Sequence, residues 1–256
     1  MKDDLIIAGR SFSSRFIMGS GKFEPELIKA CVEAGGAQII TLALRRANSK
    51  GGEFLKYIPK NVALLANTSG AKTAEQALQI ALLARELGCG EMIKVELIGE
   101  SKYLLPDNHE SIKACELLAK NGFAPLVYML PDLVAARAMV DAGAAAIMPL
   151  AAPIGSNLGL ANKNLIEILI REINLPIIVD AGIGRPSQAC AAMEMGCAAV
   201  MLNTAIATSG DVALMAGAFG NAIKAGREAY LARFGRVLKS SAEASSPLSG
   251  FLELKC

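Results

Sequence analysis

Short, almost wholly apolar runs alternate along the chain with longer stretches in which apolar residues recur every three or four positions. The apolar runs, at 16–18, 38–44, 62–66, 92–98, 125–129, 145–149, 177–180 and 199–203, read as strands buried on both faces, as parallel strands are. The periodic stretches, at 24–34, 73–87, 110–120, 133–142, 164–173, 187–195 and 212–233, read as helices rich in Ala, Leu, Glu and Lys. Gly35, Gly88, Gly122, Gly143 and Gly196 follow helices just before the next strand, where a left-handed residue closes a helix. Strands that each lead into a helix or long loop predict a (β/α)8 TIM barrel in a single domain, with a doubly wound open sheet as the competing arrangement. The opening LIIAGRSFSSRFIMG predicts a short N-terminal hairpin leading into the barrel. The barrel domain is placed at 1–242 and a Ser-rich C-terminal tail, expected to be flexible, at 243–256. The polar loop 45–60, which carries Phe54, Leu55 and Tyr57, is long for this architecture and reads as a lid or a partner surface.

Composition narrows the partners. A chain of 256 residues with 53% hydrophobic and 20% charged residues suits one barrel with a large core. The net charge of +2 and the lack of a basic run make nucleic acid and anionic membrane poor partners, whereas small anions stay open through backbone amides. No run reaches the roughly 20 apolar residues of a membrane span, and MKDDLIIAGR lacks the pattern of a secretory leader. The six cysteines are scattered without a Cys-x-x-Cys pair, so a reduced, cytoplasmic setting is expected. The single histidine, His109, near a predicted helix start, argues against His-based metal sites and triads; no metal is expected.

The stretch EMIKVELIGE (91–100) interrupts the apolar pattern. Residues two apart share a face of a strand, so if Ile93, Val95 and Leu97 face the helices, Lys94 and Glu96 point into the barrel. A buried ion pair is the structural reading; it is an expensive way to fill a barrel that branched apolar residues fill well. The chemical reading is a lysine whose pKa falls with desolvation, so that the neutral amine attacks a ketone to form a Schiff base, with a carboxylate nearby to move protons. Asp180 ends the strand in PIIVDAGIGRPS, where it either projects over the barrel mouth or caps the next helix. Three small-residue loops, LAAPIGSNLG (150–159), DAGIGRPS (180–187) and NTAIATSG (203–210), follow the last three strands. Their small residues let backbone N–H groups approach a ligand closely, and the loops after the seventh and eighth strands commonly bind phosphate in barrels. With no P-loop and no dinucleotide fingerprint, no nucleotide or nicotinamide cofactor is supported.

At this level the residues describe a phosphosugar barrel with an imine-forming lysine. Several segments go further: TLALRR (41–46), ANTSGAKTAEQA (66–77), IKVELIGESKYLLPD (93–107), MPLAAPIGSNLG (148–159), PIIVDAGIGRPSQACAAMEMG (176–196), VMLNTAIA (200–207) and AEASSP (242–247). Together they resemble the bacterial thiazole synthases of thiamine biosynthesis. The resemblance implies a (β/α)8 barrel that condenses 1-deoxy-D-xylulose 5-phosphate with dehydroglycine (2-iminoacetate) and sulfur. The sulfur comes from the C-terminal thiocarboxylate of a sulfur-carrier protein, and another enzyme produces the dehydroglycine. It implies that Lys94 forms the Schiff base, that Glu96 and Asp180 are acid/base carboxylates, and that Gly155, Ala181, Gly182, Asn203 and Thr204 hold the sugar phosphate. It also implies a cytoplasmic homotetramer. The chain departs from the family at Leu130–Pro131, where a more polar stretch is usual, at Ala152, often Ser, and in SGFLELKC, which extends past the usual end. From the residues alone, an aldolase-type Schiff-base barrel and a non-catalytic phosphosugar-binding barrel remain as alternatives.

Overall fold

The computed structural model describes residues 3–19, 24–44 and 58–238. The tail 243–256 and, within the 45–60 loop, residues 45–57 lie outside the described residues, so the expectations for them rest on sequence.

All eight predicted strands form, and they join into one parallel sheet. In spatial order these are β10 (Ala146–Pro149), β9 (Ala124–Met129), β6 (Met92–Val95), β5 (Ala63–Asn67), β4 (Ile39–Ala43), β3 (Phe16–Met18), β12 (Ala199–Leu202) and β11 (Ile178–Val179). Parallel bridges Ile147↔Ile177 and Leu150↔Asp180 join the two ends, so the sheet closes into the barrel and the open-sheet alternative falls. Helices α1 (Pro25–Glu33), α2 (Ala74–Glu86), α3 (Asn108–Lys120), α4 (Leu133–Asp141), α5 (Lys163–Glu172), α6 (Pro186–Glu194) and α8 (Val212–Ala232) match the predicted stretches. A one-turn helix, α7 (Thr204–Ala207), follows β12 directly and is too short for its period to show in the sequence. Among the described residues no helix is long and apolar enough to cross a membrane.

Alternation along each strand sorts the core into two layers. Phe16, Ile40, Ile93, Val127, Val179 and Val200 face outward into the helices. Ile17, Ile39, Leu65, Met92, Leu126, Met148, Ile178 and Met201 fill the barrel. The predicted hairpin is present as β1 (Leu5–Ile7) and β2 (Arg10–Phe12), turned at Ala8 and Gly9, which both have positive φ, as a twisted two-residue hairpin turn requires. Its Leu5, Ile7 and Phe12 join the inner cluster and plug the N-terminal end of the barrel. Arg227 on α8 straps this plug with two hydrogen bonds to the Asp3 carboxylate, 2.8 and 2.7 Å.

Two expectations need correction. The predicted strand 92–98 stops at Val95, because the Glu96 N–H donates to the Thr68 side-chain Oγ1 (2.9 Å) instead of to a ladder carbonyl. The chain then forms a small antiparallel ribbon, β7 (Ile98–Glu100) with β8 (Leu105–Pro106), before α3. At the end of α1 the left-handed residue is Gly36, not Gly35. Gly35 is required for space: a Cβ there would lie 2.6 Å from the Phe16 ring and 2.8 Å from the Cys31 carbonyl. Gly88, Gly122, Gly143 and Gly196 do take the left-handed conformation.

Candidate active site

Moving along the strands toward their C-terminal ends, the inward positions change from apolar to polar. Leu65 is followed by Asn67, Met92 by Lys94 and Glu96, Leu126 by Tyr128, and Ile178 by Asp180. The apolar plug and inner layer therefore support a polar floor, which faces a cavity of about 140 Å³ at the mouth.

Lys94 stands at the centre of this floor. Its Nζ lies 2.6 Å from Asp180 Oδ2 and 3.0 Å from Glu96 Oε2. The contact with Glu96 is an aligned hydrogen bond; that with Asp180 is closer but off the hydrogen-bonding direction. The ring of Tyr128 presents its face to the ammonium with its centroid 4.9 Å away. All three charged side chains are buried, with Lys94 at 2%, Asp180 at 4% and Glu96 at 9% exposure. Lys94 thus lies between two carboxyl groups.

The expectation that desolvation lowers the pKa of Lys94 is overturned. Burial pulls it down, but the charges of Asp180 and Glu96 outweigh burial and hold the ammonium above the ordinary lysine range. The two carboxyls diverge. Burial raises that of Glu96, yet the Lys94 charge and the hydrogen bonds from Asn67 and Lys94 bring it below its usual value. Burial dominates at Asp180, and with repulsion from Glu96 it keeps that carboxyl above its usual range despite Lys94. Burial, with the two nearby negative charges, likewise drives the Tyr128 phenol far above its ordinary value.

Gly155, Ala181, Gly182, Asn203 and Thr204 line the same cavity as the three charged residues, although they come from loops after three different strands. Gly182 has φ +77°, and a Cβ on it would fall 2.4 Å from Ala152 Cβ and 2.7 Å from Ala152 N. The small, fully buried Ala152 thus sits where the Gly182 loop crosses it. Ala181 also has positive φ, so the chain turns sharply just after Asp180. The helix-cap reading of Asp180 is not met: α6 starts at Pro186, and Gln188 Oε1 accepts from the N–H groups of Gly184 and Arg185 at 2.9 and 3.0 Å. Among the described residues lining the cavity, Lys94 is the only basic one.

Sequence reasoning placed the charged centre and missed its support. Asn67, Ser69 and Thr41 also line the cavity, and the buried Tyr128 ring packs against Lys94. Asn67 lay one residue past the predicted strand end, inside a motif quoted only for its resemblance. The alternation from Leu65 places it inward. The Leu130–Pro131 departure lies outside the cavity; Asn108 clamps the backbone of Leu130, accepting from its N–H (2.9 Å) and donating to its carbonyl (3.0 Å). His109 is exposed on α3.

Comparison with known proteins points in one direction. The family model described as "Thiazole biosynthesis protein ThiG" matches residues 6–247. A thiazole synthase of Clostridium beijerinckii is 66% identical over 253 residues, spanning 98% of this chain and 99% of that protein. One from Campylobacter jejuni (strain RM1221) is 66% identical over 254 residues, covering 98% of each. Among solved structures, the BexX/CysO complex of Amycolatopsis orientalis superposes with TM-score 0.77 at 30% identity, covering 93% of this chain and 98% of the matched one.

Proposed function

The chain belongs to the thiazole synthase family, and from that premise we propose that it builds the thiazole phosphate carboxylate of thiamine biosynthesis through an imine on Lys94. The substrates in this reading are 1-deoxy-D-xylulose 5-phosphate, dehydroglycine and the thiocarboxylate of a sulfur-carrier protein. The observation that carries the reading is the buried Lys94 between two carboxylates of opposite pKa tendency, at the floor of a cavity lined by Gly155, Gly182 and Thr204. Of the cavity-lining residues, small ones surround the space left for a phosphate, so backbone amides would bear most of its charge.

The resting ammonium must first lose a proton. Asp180, at 2.6 Å and already inclined to hold one, is the acceptor. As substrate displaces water, the low-dielectric cavity favours the neutral amine–acid pair over the ion pair. The amine adds to the C2 ketone, and Asp180 returns its proton as the carbinolamine loses water. The cationic imine acidifies C3–H. Glu96, which stays ionised, removes that proton, and tautomerisation leaves a ketone at C3. Sulfur addition at C3, acyl transfer and dehydration release the carrier. Addition to dehydroglycine and ring closure then free Lys94. That a structural neighbour was solved as the BexX/CysO complex supports a protein partner for this chain, and in a barrel the loops after the strands are the elements that would receive a carrier tail.

The test is a product assay with purified enzyme, the xylulose phosphate, dehydroglycine and carrier. Thiazole phosphate carboxylate should form with thiocarboxylated carrier and not with the carboxylate form. Product formed equally with either carrier, or a carbon–carbon cleavage product in their place, overturns the proposal.

A further inference from the structure

We propose that Asn67 is a positioning residue that fixes Glu96 as the base of the reaction, an inference that rests on the imine reading above. Asn67 ends β5 and lies opposite Lys94 in the β5–β6 register. Its Oδ1 accepts from the Ser69 N–H at 2.7 Å. That bond leaves the amide one orientation, with Nδ2 turned inward, where it donates to Glu96 Oε2 at 2.9 Å. The same oxygen accepts from Lys94 at 3.0 Å. One carboxylate oxygen is thus shared between a fixed amide and the imine-forming lysine.

The backbone reinforces this side-chain bond. Thr68 N–H donates to the Lys94 carbonyl at 3.0 Å, and Thr68 Oγ1 accepts from Glu96 N–H at 2.9 Å. Thr68 is fully buried, so this stitch is shielded from water. Three consecutive residues after Ala66 therefore act on Glu96: Asn67 on its carboxylate, Thr68 on its backbone, and Ser69 both by orienting Asn67 and through its own side chain on the carboxylate. No side-chain amide serves Asp180, which is supported by the Ala181 backbone and whose Oδ2 is buried without an aligned hydrogen bond among the described residues. The two carboxylates are consequently unequal before substrate arrives. Glu96 is held in one place as an anion, and Asp180 is the one set up to trade a proton with Lys94.

When Lys94 becomes a cationic imine it keeps its charge but loses two of its three N–H donors, so its hydrogen bonding to Glu96 weakens. Asn67 is neutral and does not change during the reaction. Its bond persists through the step in which Glu96 must accept the C3 proton. Together with the Ser69 side chain, which also hydrogen-bonds Glu96, it separates holding the base from activating the nucleophile.

The readout is exchange of the C3 hydrogen of 1-deoxy-D-xylulose 5-phosphate with deuterated solvent, measured by NMR across pH without carrier or dehydroglycine. Borohydride trapping of the imine and the melting temperature are followed in parallel. Asn67→Ala removes the donor. Asn67→Leu removes it while keeping most of the volume, and carries the test if the alanine variant does not fold. In both, the acidic limb of exchange should move up by about one pH unit or more, as loss of a hydrogen bond to a charged group implies, while imine still forms at alkaline pH. A limb that coincides with wild type in a folded variant, with only the melting temperature lowered, makes Asn67 structural and overturns the inference. Absence of any imine in the wild type overturns the imine reading, and this inference with it.

Discussion

Asp180→Asn removes one negative charge and nearly nothing else. The amide is isosteric, and its oxygen can stay in contact with Lys94. At 2.6 Å the lost attraction is about 6 kcal/mol for an effective dielectric of ~20. Glu96, at 3.0 Å, remains and keeps part of the upward pull on the lysine. Burial, which opposes the charged form, is unchanged. The balance therefore moves toward the neutral amine by well over the ~1.4 kcal/mol that corresponds to one pH unit. The assay is the rate of cyanoborohydride trapping of the sugar-phosphate imine, followed by intact mass across pH. In the wild type the rate should climb through the neutral range without levelling off below the ordinary lysine pKa, because Lys94, Glu96 and Asp180 titrate as one cluster with the ammonium held high. In the variant the limb should shift by more than one unit toward lower pH. Its plateau should be lower, since the group that accepts and returns the proton is gone. A limb unmoved, or displaced upward, would refute the claim that Asp180 controls the charge of Lys94.

Other consequences are open to simple tests. Gly182→Val should raise the KM for the sugar phosphate at least tenfold, because the left-handed backbone adds strain on the order of 1–3 kcal/mol and the side chain would strike Ala152; an unchanged KM would remove this loop from the binding site. Tyr128→Phe keeps the ring over Lys94 and should keep most activity, whereas Tyr128→Leu should slow trapping by loss of a cation–π contact of roughly 0.5–2 kcal/mol; equal rates in the two would exclude a role for the ring face. Asp3 is held below the usual carboxylate range chiefly by its hydrogen bond to Arg227, so its contribution to stability is present above the unfolded carboxylate pKa and fades as pH falls through the folded one. Asp3→Asn should therefore lower the melting temperature at neutral pH and make little difference in acid, a pattern that calorimetry at two pH values would check.

The fold was legible because the barrel writes its layers into the chain. Outward residues pack on helices and inward ones on each other, so every strand appeared as an apolar run. Lys94, Glu96 and Asp180 stood out as exceptions to that run. What escaped detection were features set by contacts distant in sequence. The strand through Lys94 ends three residues before its predicted run does, because Thr68, from the neighbouring strand end, captures the Glu96 N–H. The charge state of Lys94 depends on Asp180, which follows it by more than eighty residues, so desolvation considered alone gave the wrong direction. Asn67 lay just past the predicted strand end, and only the register places it opposite Lys94.

The central claim is that Lys94 carries the substrate covalently. Incubation with 1-deoxy-D-xylulose 5-phosphate, borohydride reduction, proteolysis and tandem mass spectrometry test it directly. The reduced adduct should map to residue 94 and vanish in Lys94→Ala and in Lys94→Arg, whose guanidinium stays protonated. An adduct on another lysine such as Lys102, or undiminished labelling of Lys94→Ala, would contradict the account.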